Sequence, residues 1–271
     1  MNDLLLIARS DLAVVLRRWW YTGIVAIGVA GMLVAVISSW GDAGRAQADA
    51  FRSDAASVYL LAGIAIALTL GATAFWPSIQ SGHLGLLAAA GARRLHIALG
   101  RVLSRVIALL AAMAAWTVAA QVVSLVLGRG LDGPLTVHAL AMTVTLLFTL
   151  LVSAAVSTVL GPMVAGFVGL SAYILIQAVV NLEAAADLGR LKSATQGVHV
   201  AYNVLPRAVL SPMIVDMHNR GQGGPAAPHF EINDLAVPLF AASWTTVAWT
   251  LMWCAIMVWL CVLGTRRRTF N

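Results

Sequence analysis

The side chains able to make bonds or hold metals are few in this sequence and widely scattered. Six histidines stand at 83, 96, 138, 199, 218 and 229. His199, His218 and His229 share one polar segment with Asp216 and Glu231. Imidazole and carboxylate suit several metals, but this spacing matches no zinc-ligand pattern. They read as solvated loop histidines, and no metal site is expected. Cys254 and Cys261 lie in one apolar run. Two thiols so placed on one helix cannot build a disulfide framework and read as packing or lipid-facing groups. Lys192 is the sole lysine, and no G-x-x-x-x-G-K-[ST] surrounds it. A phosphate-cradling loop with its lysine is therefore missing, and the chain does not bind nucleotide that way. H-E-x-x-H and G-x-S-x-G are also missing, which removes the common hydrolase signatures. No catalytic residue and no cofactor of its own is expected.

What the sequence holds instead is apolar length. It is 61% hydrophobic and 10% charged, against roughly 25% charged in soluble domains. Several uncharged runs are long enough to cross about 30 Å of hydrocarbon as helices. Backbone in lipid must satisfy its own hydrogen bonds, so an all-α polytopic membrane protein is expected. Six spans are read at about 19–40, 57–78, 102–127, 136–160, 163–181 and 236–264, within a single transmembrane domain over 1–271. Gly161-Pro162 marks a tight hairpin between the fourth and fifth spans. Segment 41–54 reads as a polar loop. Residues 1–18 carry Leu4, Leu5, Ile7, Ala8, Leu12, Val15 and Leu16 at helical spacing, with Asp3, Arg9, Asp11, Arg17 and Arg18 between them. This reads as an amphipathic helix lying along the membrane rather than a secretory signal. Trp19, Trp20 and Tyr21 then mark the headgroup level.

With both termini in the cytoplasm, ten Lys and Arg fall inside and seven outside, while nine of 11 acids fall outside. That bias fits the positive-inside rule. The net charge of +6 therefore reads as orientation and contact with anionic lipid, not as a nucleic-acid footprint. No Asp, Glu, Lys or Arg lies mid-span, which argues against a proton-coupled carrier. Polar span residues read first as interhelical hydrogen-bonding groups. Those that would line a pathway, if one exists, are Thr117, Gln121, Thr145, Thr149 and Gln177.

Between the second and third spans, residues 79–101 are too basic for lipid and too apolar for an ordinary loop. Gly82, Gly85, Gly91 and Gly100 interleave with Leu84, Leu86, Leu87, Leu95, Ile97 and Leu99, and Arg93, Arg94, Arg101 and Arg105 follow. The pattern predicts a short amphipathic helix, a turn at Gly91, and the basic start of the third span. The plainer alternative is a solvated loop that only fixes topology. The run Gly82-His83-Leu84-Gly85-Leu86-Leu87 … Gly91-Ala92-Arg93-Arg94 … Leu99-Gly100-Arg101, with the six-span layout and VLPRAVLSP at 204–212, resembles the type 2 ABC transporter permeases. Gln80 and Ser81 replace the acidic residue usual in that family, and Ala90-Gly91 stands where it has a proline.

The resemblance implies a membrane subunit that pairs with a second permease copy, as a homodimer or heterodimer. It implies separate ABC ATPase subunits carrying the ATP and Mg. Residues 79–101 would be a cytoplasmic coupling segment, with Leu84, Leu86, Leu87, Arg93 and Arg94 docking the ATPase. Residues 183–235 would be an extracytoplasmic segment whose short helices fold back over the pathway. The implied setting is a bacterial inner membrane, and the implied role an exporter of amphipathic, lipid-like or drug-like cargo. The alternative is a subunit that passes ATP-driven motion to a periplasmic protein through 183–235.

Overall fold

The computed structural model describes residues 2–39, 45–89, 91–187, 195–209 and 244–267. Ten helices are found among them: α1 Asn2–Leu16, α2 Trp19–Ser39, α3 Arg45–Ala72, α4 Trp76–Gln80, α5 His83–Ala89, α6 Arg94–Val126, α7 Gly133–Ser157, α8 Pro162–Asp187, α9 Thr195–Val204 and α10 Trp244–Arg267. The described residues hold no strand. Six helices are long and apolar enough to cross a membrane, so the chain is a multi-pass membrane protein, helical in its described secondary structure. Residues 210–243, which include the expected start of the last span and about half of 183–235, lie outside the described residues, as does Lys192.

Helix α7 is the centre of the bundle. It packs against α3, α6, α8 and α10, and 72% of its span is buried against 22% for α2 and α10. The sequence explains this. Thr145, Thr149, Ser153 and Ser157 recur every fourth residue and are all buried, so they form one small-residue stripe. Backbones approach closely there: a Cβ added at Gly71 of α3 would lie 2.4 Å from the Leu150 carbonyl oxygen. Thr149 donates to the Thr145 carbonyl at 3.2 Å and Ser157 to that of Ala154 at 2.8 Å. Those two hydroxyls are satisfied without water, whereas Ser153 Oγ, between them on the stripe, is buried with no partner among the described residues.

Helices α1 and α2 run one after the other along α6. Ile7 meets Gly100, Asp11 meets Ser104 and Arg105, Tyr21 donates its hydroxyl to the Ala108 carbonyl at 2.8 Å, and the Trp116 indole donates to the Val25 carbonyl at 3.0 Å. The indole lies flat enough on α2 that a Cβ at Gly28 would fall 2.2 Å from its nitrogen. Helix α6 has 33 residues, about 50 Å, which exceeds the ~30 Å hydrocarbon. Its extra turns are the basic ones beside α1.

Three sequence expectations change. The polar loop at 41–54 is helical from Arg45, because Arg52 pairs with Asp132 through Nε–Oδ2 at 2.7 Å and Nη2–Oδ1 at 3.2 Å. A long-range ion pair thus gives those polar turns a partner. The second span does not run unbroken to residue 78: α3 stops at Ala72, Thr73–Phe75 are non-helical, and α4 restarts with Pro77 in its first turn. Proline is suited to that position and has no N–H to continue the earlier ladder. The third span begins at Arg94, earlier than residue 102.

Candidate functional site

The short helix α5 is set by two glycines in the left-handed region, Gly82 at φ +70° and Gly91 at φ +88°. Only glycine enters that region freely. Between them, the seven residues of α5 present two faces. Leu84 is fully buried with Ile7 and Ile97, and Leu87, Ile79 and Ala92 pack on the rim of this cluster. Leu86 is 69% exposed, and Arg93 and Arg94 are exposed as well. The five residues expected to dock an ATPase therefore divide. Leu84 does not face outward; it is the anchor that fixes α5 to α1 and α6. Leu87 is half-buried beside it. Leu86 and Arg93 form the outward part. Arg94 donates from Nη1 to the Arg266 carbonyl at 2.9 Å, which ties the start of α6 to the end of α10.

Beneath this elbow lies a buried ionic cluster. Arg105 approaches Asp11 at 3.4 Å and Arg101 approaches it at 3.9 Å. The single Ser104 hydroxyl lies within hydrogen-bond reach of both Asp11 Oδ2 and the Arg101 carbonyl, the latter at 2.7 Å. Arg101 also donates to the Ala74 carbonyl at 2.9 Å, which satisfies an acceptor freed where α3 breaks. One arginine therefore joins α1, the α3–α4 break and α6. Helix α1 sits so close that a Cβ at Gly100 would meet Ile7 Cγ2 at 3.0 Å and the Leu4 carbonyl at 3.1 Å. In sequence Arg101 and Arg105 count among the span-end charges that set orientation. Both are buried, because α1 covers them.

The opposite end of the bundle is also tied. Asp132 accepts from Leu135 N at 3.1 Å and so caps α7. Gln121 closes the α6–α7 hairpin, accepting from Asp132 N at 2.8 Å and donating to the Asp132 carbonyl at 2.8 Å. Helix α9 packs on α8, and His199 Nδ1 lies 2.6 Å from Glu183 Oε1. Past α9, residues 205–209 are non-helical, yet polar groups of this stretch are met from within the bundle. Trp249 and Trp253 donate to the Leu205 and Val204 carbonyls at 2.9 and 3.2 Å, Thr250 donates to the Arg207 carbonyl at 2.9 Å, and Val209 N donates to Thr145 Oγ1 at 3.1 Å. Thr145 stands twelve residues after Gly133, about 18 Å along α7. Residues 205–209 thus reach into the bundle, where irregular backbone needs such partners.

The residues expected along a pathway are distributed among these contacts. Thr145 and Thr149 are joined in the buried stripe of α7. Thr117 accepts from the Tyr59 hydroxyl at 3.2 Å between α3 and α6. Gln121 belongs to the hairpin, and Gln177 donates to the Tyr173 hydroxyl at 3.0 Å within α8. Among the described residues no three of His, Cys, Asp and Glu come together as a metal site; His218 and His229 lie outside them. No protein-family model matches the chain, nor does any curated protein sequence.

Proposed function

We propose that this multi-pass protein is the membrane subunit of a system driven by separate ATPase chains, with Leu86 and Arg93 as the point of grip. The single observation that carries the reading is the division of α5. Its inner face is fixed by fully buried Leu84 against Ile7 and Ile97, while Leu86 on its outer face is left 69% exposed. A solvated loop that only fixed topology would not need an anchored helix beneath an exposed leucine. A push on α5 is passed directly to α1 and α6, and through Arg101 and Arg94 to the ends of α3 and α10. In this reading the arginine meets carboxylates on the ATPase, which its planar fork pairs well. The N-terminal helix rests at the cytoplasmic headgroup layer, both termini are cytoplasmic, and a second permease copy completes the pathway. The cargo class is amphipathic, and export is the direction.

A Leu86→Glu, Arg93→Glu variant should insert and fold but lose the co-purifying P-loop ATPase. Leu84→Glu should instead destabilise the protein itself. Full retention of the ATPase by the double variant would remove the docking role. A reporter fused to the C-terminus tests the orientation, and activity confined to the periplasm would reverse it.

A further inference from the structure

The Asp11 cluster holds more positive charge than the described residues neutralise. Two guanidinium groups, 5% and 4% exposed, share one carboxylate that is 11% exposed. Arg18 adds its charge to the same field. Nε of Arg101 and both Nε and Nη1 of Arg105 are buried with no hydrogen-bond partner among the described residues. Buried donors of this kind are rare and point to a bound group. Charge and donor geometry both name an oxyanion: guanidinium N–H pairs match phosphate oxygens in a two-point contact.

The depth of the cluster narrows the source. Tyr21 belongs to the Trp19-Trp20-Tyr21 triplet at the start of α2, which marks the headgroup level. Its hydroxyl is bonded to the Ala108 carbonyl, so Ala108 shares that depth. Arg105 lies one turn outward from Ala108, about 4.5 Å along α6. That is where phospholipid phosphates stand. The outer side of α1 carries Leu5, Leu6, Val14 and Leu16, all at least 40% exposed, together with exposed Arg9 and Arg17, a composition suited to lying among lipids.

We infer that the buried seam between α1 and α6, where Arg101 and Arg105 meet Asp11, binds the phosphate group of a membrane phospholipid. The bound phosphate completes the charge balance with Asp11 and clamps α1 onto α6. The inference stands apart from the ATPase-coupling proposal and would survive its failure.

The test is thermal unfolding of the full chain in detergent, titrated separately with phosphatidylglycerol, inorganic phosphate and diacylglycerol. Phosphatidylglycerol should raise the melting temperature saturably, and diacylglycerol, which lacks the phosphate, should not. In Arg105→Met the half-saturating concentration should rise at least tenfold. In Ser104→Asp, which supplies a second carboxylate from within, the same loss should appear without loss of the folded state. Saturation by inorganic phosphate as well would show that the ion suffices; saturation by the lipid alone would show that the headgroup is read in place on its chains. No shift in the wild type, equal shifts with diacylglycerol, or unchanged titration in both variants would overturn the assignment.

Discussion

Replacing Asp11 by alanine should release α1 from the bundle while leaving the six spans folded. The carboxylate serves Arg105 at 3.4 Å, Arg101 at 3.9 Å and Ser104. Its loss leaves two buried guanidinium groups without the carboxylate that the chain supplies to them. Removing one partner of a buried pair costs about 3–5 kcal/mol, chiefly because the remaining charge stays desolvated. Helix α1 is held otherwise by buried Ile7, Ala8 and Val15. The two larger side chains contribute roughly 1.5–3 kcal/mol each when fully buried. The two quantities are of similar size, so the least costly response is for α1 to lift and let water reach the arginines. Amide hydrogen exchange reads this directly, since local opening is reported segment by segment. Exchange over residues 2–16 should accelerate by about a hundredfold, the equivalent of ~3 kcal/mol at 1.4 kcal/mol per factor of ten. Exchange over α7 should stay within a few-fold. Adding Arg105→Met to Asp11→Ala should restore part of the protection, because one uncompensated charge goes with it. An α1 that exchanges at the wild-type rate in Asp11→Ala would show that the cluster does not hold it.

Four further outcomes follow from the same contacts. Gly100→Val should loosen α1 by about 1–3 kcal/mol through overpacking against Ile7 and the Leu4 carbonyl, read by the same exchange experiment; Gly100→Ser should have a smaller effect. Asp132→Ala should destabilise the opposite end more than Arg52→Ala does, because Asp132 both accepts from Arg52 and caps α7. A lost cap costs about 1 kcal/mol beyond the ion pair, and denaturant midpoints of the two variants give the difference. Thr250→Val removes the hydroxyl donor to the Arg207 carbonyl, a cost of about 1–3 kcal/mol if that group stays buried. A cysteine placed at Leu205 should then label faster with a water-soluble maleimide. Gly71→Leu should prevent folding, since even a Cβ would lie 2.4 Å from the Leu150 carbonyl, and the yield of monodisperse protein measures it.

Much of the architecture was legible because lipid permits so few solutions. An uncharged run of sufficient length has to be a helix, and Gly161-Pro162 has to interrupt it. The α5 helix and the Gly91 turn were also readable, from glycine positions flanking a leucine-rich segment. What escaped the sequence depended on partners far along the chain. Arg45–Asp54 looked like loop until Asp132, about 80 residues on, supplied the counter-charge that Arg52 needs. Arg101 and Arg105 looked like surface charges, because nothing local announces that Asp11 will cover them. Seven residues of α5 make two turns, too few for periodicity to tell that Leu84 faces in and Leu86 faces out. The hold on residues 205–209 runs from indole and hydroxyl donors on α10 to backbone carbonyls, and carbonyls carry no sequence signal. Trp116 was likewise unremarked, although Gly28 exists to receive it.

The most direct measurement of the central claim is site-specific photocrosslinking in native membranes, with the photoreactive group placed at Leu86 in one chain and at Leu84 in another. The account predicts an adduct between the Leu86 position and a P-loop ATPase, identified by peptide sequencing, and internal adducts to α1 or α6 from the Leu84 position. A Leu86 position that captures only lipid or water while the protein is fully assembled would contradict it.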